Sequence, residues 1–201
     1  LELVALAEGV EWVAVSQAVL AKCSDAQTPQ GVVAIVARPQ LGMDELLGSE
    51  HDLVVVLDGV QDPGNLGTII RSADAVGAKA VVLGRGTVDL YNPKTIRSTM
   101  GSMYHLPIVE ADLLELLPRA RESGVQLVTT SLQASGSCYD TDLRKPTWLI
   151  LGNEAKGVSP EVAALSDVKV IIPMQGKAES LNVAMAATVL LFEASRQRMA
   201  R

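Results

Sequence analysis

A chain of 201 residues holds one well-buried domain and a small appendage, and 48% hydrophobic with 20% charged residues excludes a disordered protein. No apolar run approaches the ~18 residues that suggest a membrane span. A formal net charge of -6 argues against a non-specific nucleic-acid binder, and 3% aromatics leave little for base stacking, so any RNA contact must come from local Lys/Arg clusters or from sequence outside this chain.

In chain order, Leu1-Glu2-Leu3-Val4 reads as the middle of an element, with further residues expected upstream. The two cysteines, Cys23 and Cys138, make no disulfide framework and no metal-ligand spacing; both are expected buried or half-buried, which fits a reducing cytoplasm. Val32–Val36 reads as a buried strand after the turn Thr28-Pro29-Gln30-Gly31. Residues 41–52 read as a linker with a short helix at Met43–Leu47.

From residue 53 the pattern becomes regular. Strands are expected at Leu53–Leu57, Ala80–Leu83, Leu106–Val109, Gln126–Thr129, Trp148–Leu151 and Val168–Ile172. Helices are expected from Leu66 to Val76, from Asn92-Pro93 to Met100, from Asp112 to Glu122, from Ser159-Pro160-Glu161, and from Leu181 to Arg198. Near-continuous apolar strands alternating with helices imply an α/β fold with a parallel sheet covered on both faces.

Ligands of such sheets bind beyond the carboxyl ends of the strands, where three segments carry polar residues. In Asp58–Ala78, Gly64 and Gly67 allow close backbone approach, and Arg71 lies one helical turn past Gly67. Asn65 and Arg71 together suit a polar substrate, or equally a helix cap and a surface arginine. In Leu149–Gly157, Glu154 follows a buried strand, where a carboxylate needs partners; an arginine ion pair is one. In Ile172–Val189, Ser180 and Asn182 bracket Leu181 at a helix start, as caps or as site residues. G-x-G-x-x-G and a P-loop are absent, which disfavours a dinucleotide or other nucleotide enzyme.

In this order and spacing the segments resemble the SpoU (TrmH) family of RNA ribose methyltransferases, in the SPOUT superfamily. Asn65, Gly67 and Arg71 match its first motif. Gly152, Asn153, Glu154 and Gly157 match its second, and Ile172, Pro173, Met174, Ser180, Leu181, Asn182 and Val183 its third. The match runs from residue 53 to about 198.

The resemblance implies a deep C-terminal trefoil knot, a homodimer, and S-adenosylmethionine (AdoMet) as the only cofactor, with no metal. It implies transfer of the AdoMet methyl to a ribose 2′-hydroxyl of RNA, with ribosomal RNA favoured over tRNA; a non-catalytic RNA-binding assembly factor is a rival reading. Residues 1–40 resemble the end of a small RNA-binding domain that precedes the methyltransferase domain, 53–201. The implied catalytic residues are Arg71, Asn65, Glu154, Ser180 and Asn182. The implied cofactor residues are Thr129, Thr130, Ser131, Gly152, Asn153, Gly157, Ile172, Met174 and Leu181. Arg71 is expected near the partner's cofactor. It either deprotonates the hydroxyl with help from an RNA phosphate or stays charged and stabilises the alkoxide; a guanidinium gives up its proton only in strong alkali, which favours the charged role. Candidate RNA contacts are Arg85, Lys94, Arg97, Lys156 and Lys177. His51 and His105 match no motif, and no catalytic role is expected for either.

Overall fold

In the computed structural model the apolar run at Leu53 becomes β1 (Leu53–Asp58), flanked by β2 (Ala80–Leu83) and β6 (Thr147–Gly152). The structure describes residues 10–24, 31–37, 46–47 and 53–199. With β3 (Ile108–Glu110), β4 (Gln126–Thr130), β5 (Gly136–Ser137) and β7 (Val168–Ile171) these strands form a seven-stranded sheet of order β3-β2-β1-β6-β4-β7-β5, parallel at every pairing.

Successive strand residues point to opposite faces, so a continuous apolar run needs cover on both. Val55 and Leu57 pack with Leu66, Ile69 and Ile70 of α2 (Pro63–Ala75) and with Leu190 and Leu191 of α6 (Val183–Met199). Val54 and Val56 pack on the other side with Leu116 and Leu117 of α4 (Leu113–Glu122) and Val162 of α5 (Pro160–Ala163). Each such aliphatic side chain contributes about 1.5–3 kcal/mol by burial. Parallel pairing brings the carboxyl ends of β1, β6, β4 and β7 to one edge, where all three polar segments lie.

Close approaches fix the helices there. A Cβ on Gly67 would overlap the Ser98 side chain of α3 (Pro93–Thr99), so α2 and α3 require glycine at this point. The Ser72 and Thr188 hydroxyls lie 2.7 Å apart and tie α2 to α6. At the far end of α6, the Gln197 amide receives Leu143 N–H and donates to Thr141 O, while Arg198 donates to Leu143 O and Lys145 O. Glu193, 7% exposed, accepts from Arg196 and Gln197, which hold its carboxyl below the ordinary value.

The chain divides into two compact units, Leu1–Pro39 and Gln40–Arg201. In the first, α1 (Gln17–Lys22) starts at Ser16, whose hydroxyl accepts from Val19 N–H. Val32–Val36 is not a strand: apolar content signals burial, but a strand needs pairing, and no described residue pairs with it. Cys23 is exposed, against expectation, and Cys138 is buried. Most of Met43–Leu47, and His51, lie outside the described residues. The helix at Leu66 starts earlier, at Pro63, because Asp62 caps it; the last helix starts at Val183; the strand at Leu106 begins at Ile108, after a 3-10 turn at Ser102–Tyr104.

Candidate functional site

Glu154, just past β6, is the residue on which the segments meet. Its Oε1 accepts from Asp62 N–H at 3.0 Å and from the Asn65 amide at 2.9 Å; its Oε2 accepts from Gln61 N–H at 3.1 Å. Burial alone would raise its carboxyl, but the Asn65 amide and the two backbone N–H groups outweigh it and hold the group below its ordinary value. Of the partners open to Glu154, an arginine, Asn65 or Arg71, it takes Asn65, with two backbone N–H groups beside it.

Asn65 is not the cap of α2. That role belongs to Asp62, whose Oδ1 accepts from Asn65 N–H at 2.9 Å while its Oδ2 faces Lys94 at 3.4 Å. The Asn65 N–H, with Lys94, keeps the Asp62 carboxyl below its ordinary value. The Asn65 amide is thereby free to bridge: its nitrogen donates to Glu154 and its oxygen accepts from Asn182 at 3.0 Å. Asn182 also caps α6, its oxygen accepting from Ala184 N–H and Met185 N–H. One line of hydrogen bonds thus joins all three segments.

Beside this line, at the carboxyl ends of β4, β6 and β7, lies a cavity of about 390 Å³. Of the sequence-derived cofactor residues, Thr129, Thr130, Ser131, Gly152, Gly157, Ile172, Met174 and Leu181 line it. Asn153 does not: its side chain donates to Gly59 O and accepts from Ala155 N–H and Lys156 N–H, shaping the loop instead. Gly152 serves the protein's own backbone, since a Cβ there would overlap Gly157 and Val158 where the loop closes back through the Asn153–Gly157 bridge.

Glu154 and Ser180 line the cavity, whereas Asn65, Asn182 and Arg71 do not. Arg71 is exposed on α2. Among the expected RNA contacts, Arg85 pairs with Asp112 at 2.9 Å and Lys94 with Asp62. Arg97 and Lys177 are exposed and do not line the cavity, whereas Lys156 lines it. His105 hydrogen-bonds Asp74 at 2.8 Å on the surface.

Sequence reasoning missed Asp62, Asp58 and Lys169. Asp62 precedes Pro63, and an Asp followed by Pro is a helix-start signal as good as the Asn92-Pro93 pair. Asp58 Oδ2 accepts from Ser159 N–H at 2.7 Å, fastening the far end of the Glu154 loop. Lys169 lines the cavity from β7, where a strand lysine gives no signal of its own.

Residues 52–192 match the SpoU rRNA Methylase family. The chain is 38% identical over 93% of its length, and 73% of the relative's, to the 23S rRNA (guanosine(2553)-2'-O)-methyltransferase RlmP of Bacillus subtilis. It is 40% identical to the 23S rRNA (uridine(2479)-2'-O)-methyltransferase of Streptomyces viridochromogenes, covering 86% of this chain and 62% of that one. The AdoMet-bound rRNA methyltransferase of Sinorhizobium meliloti superposes with a TM-score of 0.85 at 38% identity, over 90% of this chain and 70% of that structure. The motif residues meet at one sheet edge, the family match spans β1 to α6, and the relatives agree over most of both lengths: the chain belongs to the SpoU rRNA Methylase family.

Proposed function

We propose that this chain transfers the methyl group of AdoMet to a ribose 2′-hydroxyl of ribosomal RNA, in the cytoplasm, as a homodimer. The observation that carries this reading is the line Glu154–Asn65–Asn182, which holds two side-chain amides in fixed orientation at the edge where the cavity opens. The named rRNA 2′-O-methyltransferases among the relatives support ribose and rRNA; their targets include both a guanosine and a uridine, so the base is left open.

The cavity fits the donor. About 390 Å³ lies in the range of small-ligand sites, and Leu151, Ile172 and Leu181 give apolar walls for a nucleobase. Thr129, Thr130, Ser131, Gly152 and Gly157 would hold the cofactor largely through backbone groups. When bound, AdoMet supplies an electrophilic methyl on a sulfonium with a neutral leaving group.

The protein's task is the nucleophile, because a ribose hydroxyl is weakly acidic. Each amide has two N–H bonds. Asn65 spends one on Glu154 and Asn182 spends one on Asn65, so each keeps one to donate to ribose oxygens. Glu154 positions rather than accepts the proton: its oxygens already take three N–H bonds, and a carboxyl held below its ordinary value is a weak base. Arg71 stays charged and stabilises the developing alkoxide.

Arg71 would serve the partner's cavity. It does not line its own, and α2, which carries it, packs on α6, whose Met185 and Phe192 are 50% and 51% exposed one heptad apart. We place these helices at the dimer interface. The trefoil knot belongs to the same proposal. Residues 131–145 run alongside β7, with Cys138 N–H on Ile171 O, and also hold the end of α6 through Gln197 and Arg198. Residues 1–40 are assigned to the end of an RNA-binding domain and 53–201 to the methyltransferase domain.

The test is incubation with methyl-labelled AdoMet and either unmodified rRNA or tRNA. Label entering rRNA is expected; label entering only tRNA moves the substrate, and binding without transfer favours an assembly factor.

A further inference from the structure

Three charged side chains line the cavity: Glu154, Lys156 and Lys169. Glu154 is spent on its three N–H donors. Lys156 stands in the loop after β6 and Lys169 on β7, opposite Thr129 of β4. Both lysines are exposed, and among the described residues no carboxylate pairs with either. Lys94 and Arg85, by contrast, already have Asp62 and Asp112 as partners. A site for a cationic molecule that carries two unpaired ammonium groups is unfavourable unless the ligand brings an anion to them.

AdoMet brings one. Its sulfonium and its α-ammonium are positive, and its single negative group is the α-carboxylate. We propose that Lys156 and Lys169 together receive this carboxylate, and so fix which way the amino-acid tail lies in the cavity. The proposal rests on the AdoMet reading above and removes Lys156 from the RNA contacts. It makes the two lysines binding residues for the donor tail, with no part in the methyl-transfer step. In the reversed orientation the lysines would face the neutral adenine and the carboxylate would lose both partners.

The discriminating ligand is decarboxylated AdoMet, which keeps the sulfonium, the nucleoside and the amine but lacks the carboxylate. Calorimetry on the full chain would compare the wild type with Lys156→Gln, Lys169→Gln and the double variant, using each donor in turn. Exposed ion pairs are individually weak, so each single change is expected to weaken AdoMet binding about two- to fivefold and the double change about tenfold. Binding of decarboxylated AdoMet is expected to stay within twofold or to tighten. Lys156→Arg combined with Lys169→Arg should keep AdoMet affinity, and added salt should weaken the wild type more than the double Gln variant.

Equal losses for both donors, or unchanged AdoMet affinity, overturn the proposal. So does intact donor affinity with weakened rRNA binding, which would return the lysines to RNA. A wild type that binds neither donor overturns the AdoMet reading as well, whereas a wild type that binds AdoMet without the differential loss overturns the tail assignment alone.

Discussion

The amide nitrogen of Asn182 donates to the amide oxygen of Asn65 at 3.0 Å, across 117 positions of sequence. This bond joins the cap of α6 to the first turn of α2, and through Glu154 it reaches the loop after β6. Substitution at any of the three residues should therefore disturb the other two.

Glu154→Gln replaces one acceptor oxygen by a donor that faces the N–H of Gln61 or of Asp62. Losing a hydrogen bond to a charged group and leaving its donor facing another donor costs about 1–3 kcal/mol. Methyl transfer should fall at least tenfold, while donor affinity in calorimetry should change by less than the rate does. A variant with unimpaired turnover would remove Glu154 from its positioning role.

Gly152→Ala places a Cβ against the backbone of Gly157 and Val158. The Asn153–Gly157 bridge must then open, at a cost typical of overpacking, about 1–3 kcal/mol. AdoMet binding is expected to weaken more than tenfold, with a lowered melting temperature measured alongside. Unchanged binding would show that the loop does not shape the donor site.

Arg71→Ala should leave AdoMet binding within a few-fold and abolish transfer. Because Arg71 is assigned to the partner's cavity, mixing this variant with Gly152→Ala should restore activity. Random pairing makes half the dimers mixed, each with one intact site, so about a quarter of wild-type activity is expected. Mixed dimers with none would place Arg71 in its own subunit's site or outside the chemistry.

Acid should destabilise the fold in a defined direction. The carboxyls of Glu193, Asp62, Asp74 and Glu154 are all held below their ordinary values in the folded chain, so the unfolded chain binds protons first. Their contribution is complete above the ordinary carboxylate range and is lost as the pH falls through the folded values. Glu193→Gln, which removes the Arg196 partner, should lower the melting temperature at pH 7 by more than it does near pH 3. A difference that does not shrink with pH would contradict the assignment.

Much of this architecture is legible in the residues. Val54 to Leu57 advertise cover on both faces because every one is apolar, and both clusters are present. Six of the seven parallel strands follow from this alternation, and the family from the three motifs. Val32–Val36 misleads because hydrophobicity reports the need for burial and says nothing of a pairing partner. Gly136–Ser137 is too short to carry a period. Asp62 is hidden by Asn65, a better-looking cap closer to the apolar run, and only the hydrogen bonds tell them apart. That Gly152 is required by Gly157 rather than by a ligand is likewise invisible without coordinates.

Transfer to a ribose oxygen would leave its mark in the RNA product, in the linkage of the new methyl group. After reaction with methyl-labelled AdoMet, rRNA would be digested in alkali, which needs a free 2′-hydroxyl to cut each phosphodiester. Label recovered in alkali-resistant dinucleotides is the predicted result. Label recovered in mononucleotides, as from a methylated base, or no label in the RNA at all, would contradict it.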